Sequence, residues 1–159
     1  MAAMSFQGDV QSFTRKFQLR GDLVIRKVAL DLFSRVVIKT PVDTGRARGN
    51  WMVGVNRIPT EEGPGIDTAP MPRIISDVSA AKFGDNVALS NTLPYIGPLE
   101  YGGFPDPPMK GTRLKGGGYE IKSAGGYSKQ APQGMVRTTI KEYQPTLRKA
   151  VAEAKRETP

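Results

Sequence analysis

Residues 40–51, Thr-Pro-Val-Asp-Thr-Gly-Arg-Ala-Arg-Gly-Asn-Trp, decide the fold because they join a helical pattern to a strand pattern. Pro41 has no amide hydrogen and disfavours helical geometry at Thr40, so the preceding helix must end there. Asp43 can accept hydrogen bonds from backbone amides that follow it, and Gly45 can adopt the positive φ that such a turn often needs. The stretch predicts a tight corner between a helix and a strand.

Two apolar stripes precede this corner. The first repeats every three or four residues, at Phe6, Val10, Phe13 and Phe17. It predicts an N-terminal helical arm over residues 1–20, with its aromatic side chains in a core. Gly21 and Asp22 interrupt the pattern, and Asp22 suits the N-cap of a second helix over residues 22–39.

A small antiparallel sheet is expected after the corner. Residues 50–55 alternate as a strand, with Trp51 as a core anchor whose indole N–H needs a partner. Residues 56–72 contain four prolines and predict an extended loop. Residues 73–83 have the spacing of a short helix, and residues 87–91 form the natural partner strand.

The last apolar stripe predicts a long C-terminal helix from Gln133 onward. Its members are Val136, Ile140, Tyr143, Leu147 and Val151. Pro145 falls inside the stripe without shifting its phase, which favours a helix kinked at that residue. Packed against the helix over 22–39 on one side of the sheet, it would complete a single α+β domain over residues 1–159.

Residues 94–101 follow the second strand and are apolar apart from Glu100. Pro94 suits the first turn of a short helix, which Gly97 and Pro98 would shorten or distort. Glu100 is either a catalytic carboxylate or one half of an intersubunit salt bridge. The absence of an acid or base companion beside it in the sequence favours the salt bridge.

A glycine-rich basic segment, residues 102–133, is expected to form a second extended loop between this region and the last helix. Its cations are Lys110, Arg113, Lys115, Lys122 and Lys129. Basic and aromatic residues together can grip single-stranded nucleic acid, and a flexible basic loop can line a channel for duplex DNA. The third interpretation is an assembly arm that becomes ordered against a neighbouring subunit. The abundance of glycine predicts a mobile segment in the free protein.

Composition narrows the possible chemistry. The chain has 159 residues and contains neither histidine nor cysteine, so it lacks the usual general base, the commonest metal ligand and any disulfide. It contains no apolar run long enough for a membrane span and no apparent secretory leader. The net charge is +8 and is unevenly distributed, with residues 54–101 acidic and the other segments basic. We therefore expect a protein without catalytic activity, cofactor or metal.

Three segments together resemble a known family. They are the corner with its following Trp, the pair Ser-Asn-Thr-Leu-Pro-Tyr (90–95) and Leu-Glu-Tyr-Gly (99–102), and Ala-Pro-Gln-Gly-Met-Val (131–136). In this order they resemble the HK97-gp10-like family of tailed-bacteriophage proteins, which are neck or tail-completion components. Ile96 and Pro98 depart from the family pattern Tyr-Ala-x-x-x-Glu-x-Gly, which affects the expected helical geometry there.

The resemblance implies a structural virion protein at the head–tail interface, assembled in the host cytoplasm. It implies a ring of identical subunits around the DNA, expected to be a hexamer, with tail terminator, tail tube and head-closure or connector proteins as partners. The residues expected to hold the corner or contact another subunit are Pro41, Asp43, Thr44, Gly45, Arg46, Trp51, Tyr95 and Glu100. The five cations of residues 102–133 are the expected contacts to DNA in the channel.

Two other functions remain open. A free, sequence-nonspecific nucleic-acid-binding module would use the same cations. A hydrolase would need paired carboxylates such as Glu61 or Glu62 with Asp67, all in the proline-rich loop.

Overall fold

The structure is a computed structural model that describes residues 6–67, 69–109 and 111–158. Its helices are α1 (Phe6–Lys39), α2 (Arg46–Gly49), α3 (Met71–Ser79), α4 (Ile96–Tyr101), α5 (Val136–Ile140) and α6 (Tyr143–Glu157). Its strands are β1 (Met52–Val55), β2 (Val87–Ser90), β3 (Thr112–Arg113), β4 (Tyr119–Glu120), β5 (Ser123–Ala124) and β6 (Tyr127–Ser128). The expected α+β class is confirmed.

A single helix, α1, replaces the two N-terminal helices that the sequence predicted. Gly21 does not break it but gives space, since a Cβ at that position would lie 2.5 Å from the ring of Phe83. Asp22 does not cap a helix; its carboxylate accepts a hydrogen bond from the backbone N–H of Phe83 at 2.7 Å. The apparent break is the place where the loop after α3 packs against α1.

The N-terminal part of α1 is exposed on all sides from residue 6 to residue 19. The expectation that its apolar stripe lies in a core is wrong for Phe6, Val10, Phe13 and Phe17, all of which are exposed. Residues 1–5 of the predicted arm lie outside the described residues. The core begins further along α1, at Ala29, Val36 and Val37.

The expected antiparallel pair forms between β1 and β2, with Met52 opposite Ser90 and Val55 opposite Val87. Trp51 and Val53 are buried in the core, beside Ile74 and Val78 of α3. α3 begins at Met71, two residues before the predicted helix, with a proline in its first turn. The stretch from residue 56 to the start of α3 is otherwise irregular where it is described.

The C-terminal helical region is two helices rather than one helix kinked at Pro145. α5 ends at Ile140 and α6 begins at Tyr143, so Pro145 lies in the first turn of α6. Its missing N–H is no loss there, because the first backbone N–H groups of a helix have no partner within the helix. The chain interrupts the helix before the proline rather than bending at it.

The expected contact of the last helix with the helix over 22–39 is present, since α6 packs along α1, and this contact rather than one with the sheet is the main contact of α6. The small side chains of Ala150 and Ala154 are buried on α6, which allows close approach of the helices. Ion pairs border the contact, with Lys27 bound to both Glu153 and Glu157 at 3.0 and 2.7 Å. Arg35 and Lys39 both pair with Glu142 just before α6.

Residues 102–133 contain two short antiparallel hairpins, β3–β4 and β5–β6. Arg113 lies opposite Tyr119 in the first, and Ser123 lies opposite Ser128 in the second. We call residues 111–128 the hairpin segment. The expectation of an extended loop in this region is therefore replaced by local β structure.

Candidate functional site

The corner has the backbone geometry that its sequence predicts. α1 ends at Lys39, and Gly45 has φ +93°, in the left-handed region that favours glycine. Two details differ. The backbone N–H of Arg46 donates to the hydroxyl of Thr44 at 3.3 Å, not to Asp43. The short helix α2 also separates the turn from the strand.

Trp51 finds its polar partner inside the core. Its indole N–H donates to the hydroxyl oxygen of Thr40 at 2.8 Å, and this hydroxyl donates in turn to the carbonyl of Val36 at 2.7 Å. Arg48 of α2 donates to the carbonyls of Ile38 and Thr40 at 3.1 and 3.0 Å. These carbonyls have no partner within α1, so Arg48 caps the helix from outside.

The corner faces the hairpin segment across a cavity of about 290 Å³, which we call the corner pocket. Lys122 spans it and binds the carboxylate of Asp43 at 2.6 Å. Gln130 holds the backbone of Val42 from both sides, accepting from its N–H at 2.9 Å and donating to its carbonyl at 3.3 Å. The remaining wall includes Pro41, Gly45, Arg46, Tyr95, Leu99 and Phe104. Tyr95 is thereby placed beside the corner.

Asn50 and Asn91 connect the corner to the second segment of the family resemblance. The side-chain amide of Asn50 donates to the side-chain oxygen of Asn91 at 2.9 Å. Asn91 donates to the carbonyl of Ala47 at 2.8 Å. The side-chain oxygen of Asn50 accepts from the backbone N–H of Gly63, which brings in the proline-rich loop. The buried amide of Asn50 and the half-buried amide of Asn91 have partners on three segments and hold these segments in one arrangement.

Glu100 connects the second segment to the third. Its buried carboxylate accepts hydrogen bonds from the backbone N–H groups of Met135, Val136 and Arg137 at 2.7, 2.9 and 2.8 Å. Burial alone would raise the pKa of Glu100, but these three donors and the charge of Arg137 outweigh it and lower the pKa. The carboxylate is therefore a structural acceptor within one chain, not the intersubunit partner that the sequence favoured.

The five candidate DNA contacts do not form one uniform set. Lys122 is engaged with Asp43, and Glu120 lies 4.0 Å from the same ammonium group. Arg113, Lys115 and Lys129 are exposed, and within the described ranges their side chains form no hydrogen bond or ion pair. Lys110 lies outside the described residues. Three cations of this segment are thus available at the surface.

The carboxylates required by the hydrolase alternative are bound to separate partners. Glu61 pairs with Arg57 at 2.9 Å, and this hydrogen bond, followed by bonds from the backbone of Glu61 and Thr60, lowers the pKa of Glu61 to about 2. Glu62 pairs with Arg46 at 3.3 Å. Asp67 accepts the backbone N–H of Ala69. Each of the three carboxylates is therefore bound to a different partner.

The described part of the chain holds no group of three or more acidic side chains placed to bind a metal ion. Among the described helices, none has the length and apolar character needed to cross a bilayer. Comparison of the chain with known protein families, curated proteins and solved structures finds no match.

Several residues that build the site were missed at the sequence level. Asn50, Asn91 and Gln130 join segments that are 41 to 88 residues apart, and Arg48 caps a helix from the opposite side of the turn. Their amide and guanidinium groups are common on surfaces, so composition and spacing alone did not distinguish them. The available signal was their place in the quoted motifs: Arg48 and Asn50 lie in the corner, Asn91 lies in Ser90-Asn91-Thr92, and Gln130 directly precedes Ala131.

Proposed function

We propose that this protein is a noncatalytic structural subunit of a tailed-bacteriophage neck, a tail-completion protein that joins tail to head as a ring around the DNA. The proposal rests on the family resemblance of three segments, and the contacts of Asn50 and Glu100 give it support because they bring those segments together. Its expected partners are further copies of itself, the tail terminator, the tail tube and head-closure or connector proteins. Its place would be the virion, after assembly in the host cytoplasm.

The structural observation that carries the assembly part of the proposal is the exposed apolar surface of the hairpin segment. Its exposed members are Leu114, Tyr119, Ile121 and Tyr127, with Tyr119 at 65%. Hairpins with strands of two residues are marginal by themselves. Apolar side chains on such projections favour contact with another protein subunit.

The corner would then orient the hairpin segment toward a neighbour. Lys122 and Gln130 attach the hairpin segment and the residues just after it to Asp43 and Val42. A head-to-tail contact between unlike surfaces generates a ring when its rotation closes. Six subunits is the number that the symmetry of phage tails implies.

The test is the mass of the purified protein in solution, measured by light scattering over a range of concentration and salt, with rings imaged by electron microscopy. We expect a closed ring, and we expect Tyr119→Ser with Ile121→Ser to abolish it. Ile140→Ser is the matched control, because Ile140 is equally apolar and exposed at 63% outside the hairpin segment. Protein that forms no ring, alone or with purified tail tubes, would contradict the proposal.

A second candidate is a sequence-nonspecific nucleic-acid-binding module, favoured by the unpaired side chains of Arg113, Lys115 and Lys129. Replacing all three with glutamine should reduce the slope of log affinity against log salt by about 2 to 3. Undetectable DNA binding by the unaltered protein at low salt would eliminate this candidate without affecting the ring.

A further inference from the structure

We propose that the exposed arm of α1, residues 6–19, pairs with the arm of a second copy of this chain in an antiparallel, two-fold arrangement. The inference goes beyond the proposed function and holds whether or not the protein forms rings. It starts from the apolar stripe that the core does not cover. Phe6 is 84% exposed, Phe13 is 70% and Phe17 is 54%.

The size of the stripe suits a reversible contact between copies. An aromatic side chain buries roughly 200 Å², so the exposed fractions of the three rings leave on the order of 400 Å² of apolar surface. Val10 adds to it, and Phe83 extends it, with its ring 5.4 Å from that of Phe17. This is as large as the largest apolar patch of a typical monomer. It remains below the roughly 800 Å² per partner of a standard stable interface, so pairing should depend on concentration.

The spacing of the stripe specifies how two arms fit together. Phe6, Val10, Phe13 and Phe17 follow the 4, 3, 4 spacing of a helical seam. In the antiparallel arrangement Phe6 lies against Phe17 of the second copy, and Val10 lies against Phe13 of the second copy. Each contact occurs twice by symmetry. Arg20, the next residue of α1 at the seam spacing after Phe17, contacts Thr158 of its own chain.

Charges beside the seam select this orientation. Asp9 and Lys16 occupy equivalent positions, seven residues apart. In the antiparallel pair each Asp9 lies next to Lys16 of the second copy, which gives two ion pairs. In a parallel pair, the residues facing Asp9 and Lys16 would be Thr14 and Gly21, which carry no charge. Only the antiparallel arrangement gives the charges partners.

The same two charges oppose a slip of the register. A shift of one heptad in one direction places Asp9 next to Asp9 of the second copy. A shift in the other direction places Lys16 next to Lys16 of the second copy. Both alternatives replace attraction with repulsion, which is how charged positions beside a helical seam set partner and register. The charges of two arms are therefore complementary in this one arrangement only.

The first test exchanges the charges and measures the dimer dissociation constant by sedimentation equilibrium at low salt. Asp9→Lys and Lys16→Asp alone should each weaken the dimer about tenfold, because each variant converts two ion pairs into like-charge contacts. The double variant restores both pairs and should return to within about twofold of the unaltered protein. Arg15→Asp is the matched control, since Arg15 lies away from the seam and should change the constant much less than Lys16→Asp.

A mixture of the two single variants provides a second measurement of charge pairing between the arms. Asp9→Lys carries two cations beside the seam, and Lys16→Asp carries two anions. The two should form a heterodimer in preference to either homodimer. All four charge variants lie on an exposed helix surface, so their circular dichroism should match that of the unaltered protein.

The second test establishes orientation by cross-linking in a chain that contains no native cysteine. Mixed Val10→Cys and Phe13→Cys proteins should form the heterodisulfide faster than either homodisulfide, since disulfides require Cβ atoms about 4 Å apart. Faster homodisulfide formation at residue 10 would indicate parallel arms and overturn the proposal. A dimer indifferent to the charge exchanges, or a monomer at every accessible concentration, would also overturn it. Rings that persist in these variants would leave the proposed function standing.

Discussion

The hydrogen bonds of the Glu100 carboxylate provide the sharpest test of the interior of the fold. We predict that Glu100→Gln lowers the free energy of unfolding by about 3 kcal/mol. The carboxylate accepts three backbone hydrogen bonds at 2.7 to 2.9 Å. A hydrogen bond to a charged group contributes about 1.5–3 kcal/mol, against about 0.5–1.5 kcal/mol for a neutral one. Glutamine keeps only one acceptor oxygen, so two of the bonds become neutral at a cost of about 1 kcal/mol each, and the third is lost at a cost of at least about 1 kcal/mol.

The pH dependence of this effect follows from the lowered pKa of Glu100. A carboxyl group whose pKa is lower in the folded than in the unfolded state adds stability fully above its unfolded pKa, near 4.3. That stability is lost as the pH falls through the folded pKa. The difference between the unaltered protein and Glu100→Gln should therefore be largest near neutral pH and shrink below about pH 4.

Urea denaturation followed by circular dichroism, repeated between pH 3 and 7, measures both quantities. Glu62→Gln is the control, because Glu62 is an exposed carboxylate with one surface partner, Arg46; we expect it to cost less than about 1 kcal/mol. A loss below about 1 kcal/mol for Glu100→Gln, or a loss of the same size at pH 3 and pH 7, would refute the structural role of the carboxylate.

Three further substitutions test the corner by the same denaturation assay. Thr40→Val leaves the buried indole N–H of Trp51 without its acceptor and should cost about 1–3 kcal/mol; an unchanged midpoint would mean that the indole has another partner. Gly45→Ala forces φ +93° on an L side chain and should cost about 1–3 kcal/mol, whereas Gly116→Ala, in open space between β3 and β4 and without a positive φ, should be nearly neutral. Lys122→Gln removes a surface ion pair and should cost less than about 1 kcal/mol while loosening the hairpin segment, which proteolysis would detect; equal cleavage rates would contradict that role.

Features decided by neighbouring residues could be predicted from the sequence. The end of α1 before Pro41, the positive φ of Gly45 and the pairing of β1 with β2 follow from local backbone chemistry and from alternation. Trp51 was expected in the core with a polar partner, and it is buried there. The identity of this partner, Thr40, could not be predicted from the sequence, because the end of a helix and the start of a strand come together only after folding.

Features decided by distant contacts were predicted wrongly. Gly21 was interpreted as a helix break because glycine costs about 1 kcal/mol in a helix, yet it is the position that lets Phe83 pack on α1. The stripe at Phe6 was assigned to a core because periodicity identifies a helix face but not what covers it. The ion pair of Lys122 with Asp43, 79 residues away, was not foreseen either, and the expected contact of Lys122 with DNA stays a prediction.

The distribution of polar contacts suggests how the corner serves the proposed assembly. Asn50 is buried with partners at Gly63 and Asn91, and Glu100 is buried with three donors at residues 135–137, and such groups cost free energy when a partner moves. Moving the corner would leave these buried polar groups without their partners. They therefore raise the free energy of alternative positions of the corner by more than they add to the net stability of the native one. Because Lys122 and Gln130 attach the hairpin region to this corner, strands of two residues can hold one orientation. We infer that the corner fixes the orientation of the hairpin segment relative to a neighbouring subunit. Glu100→Gln should therefore weaken subunit contacts although Glu100 itself is buried.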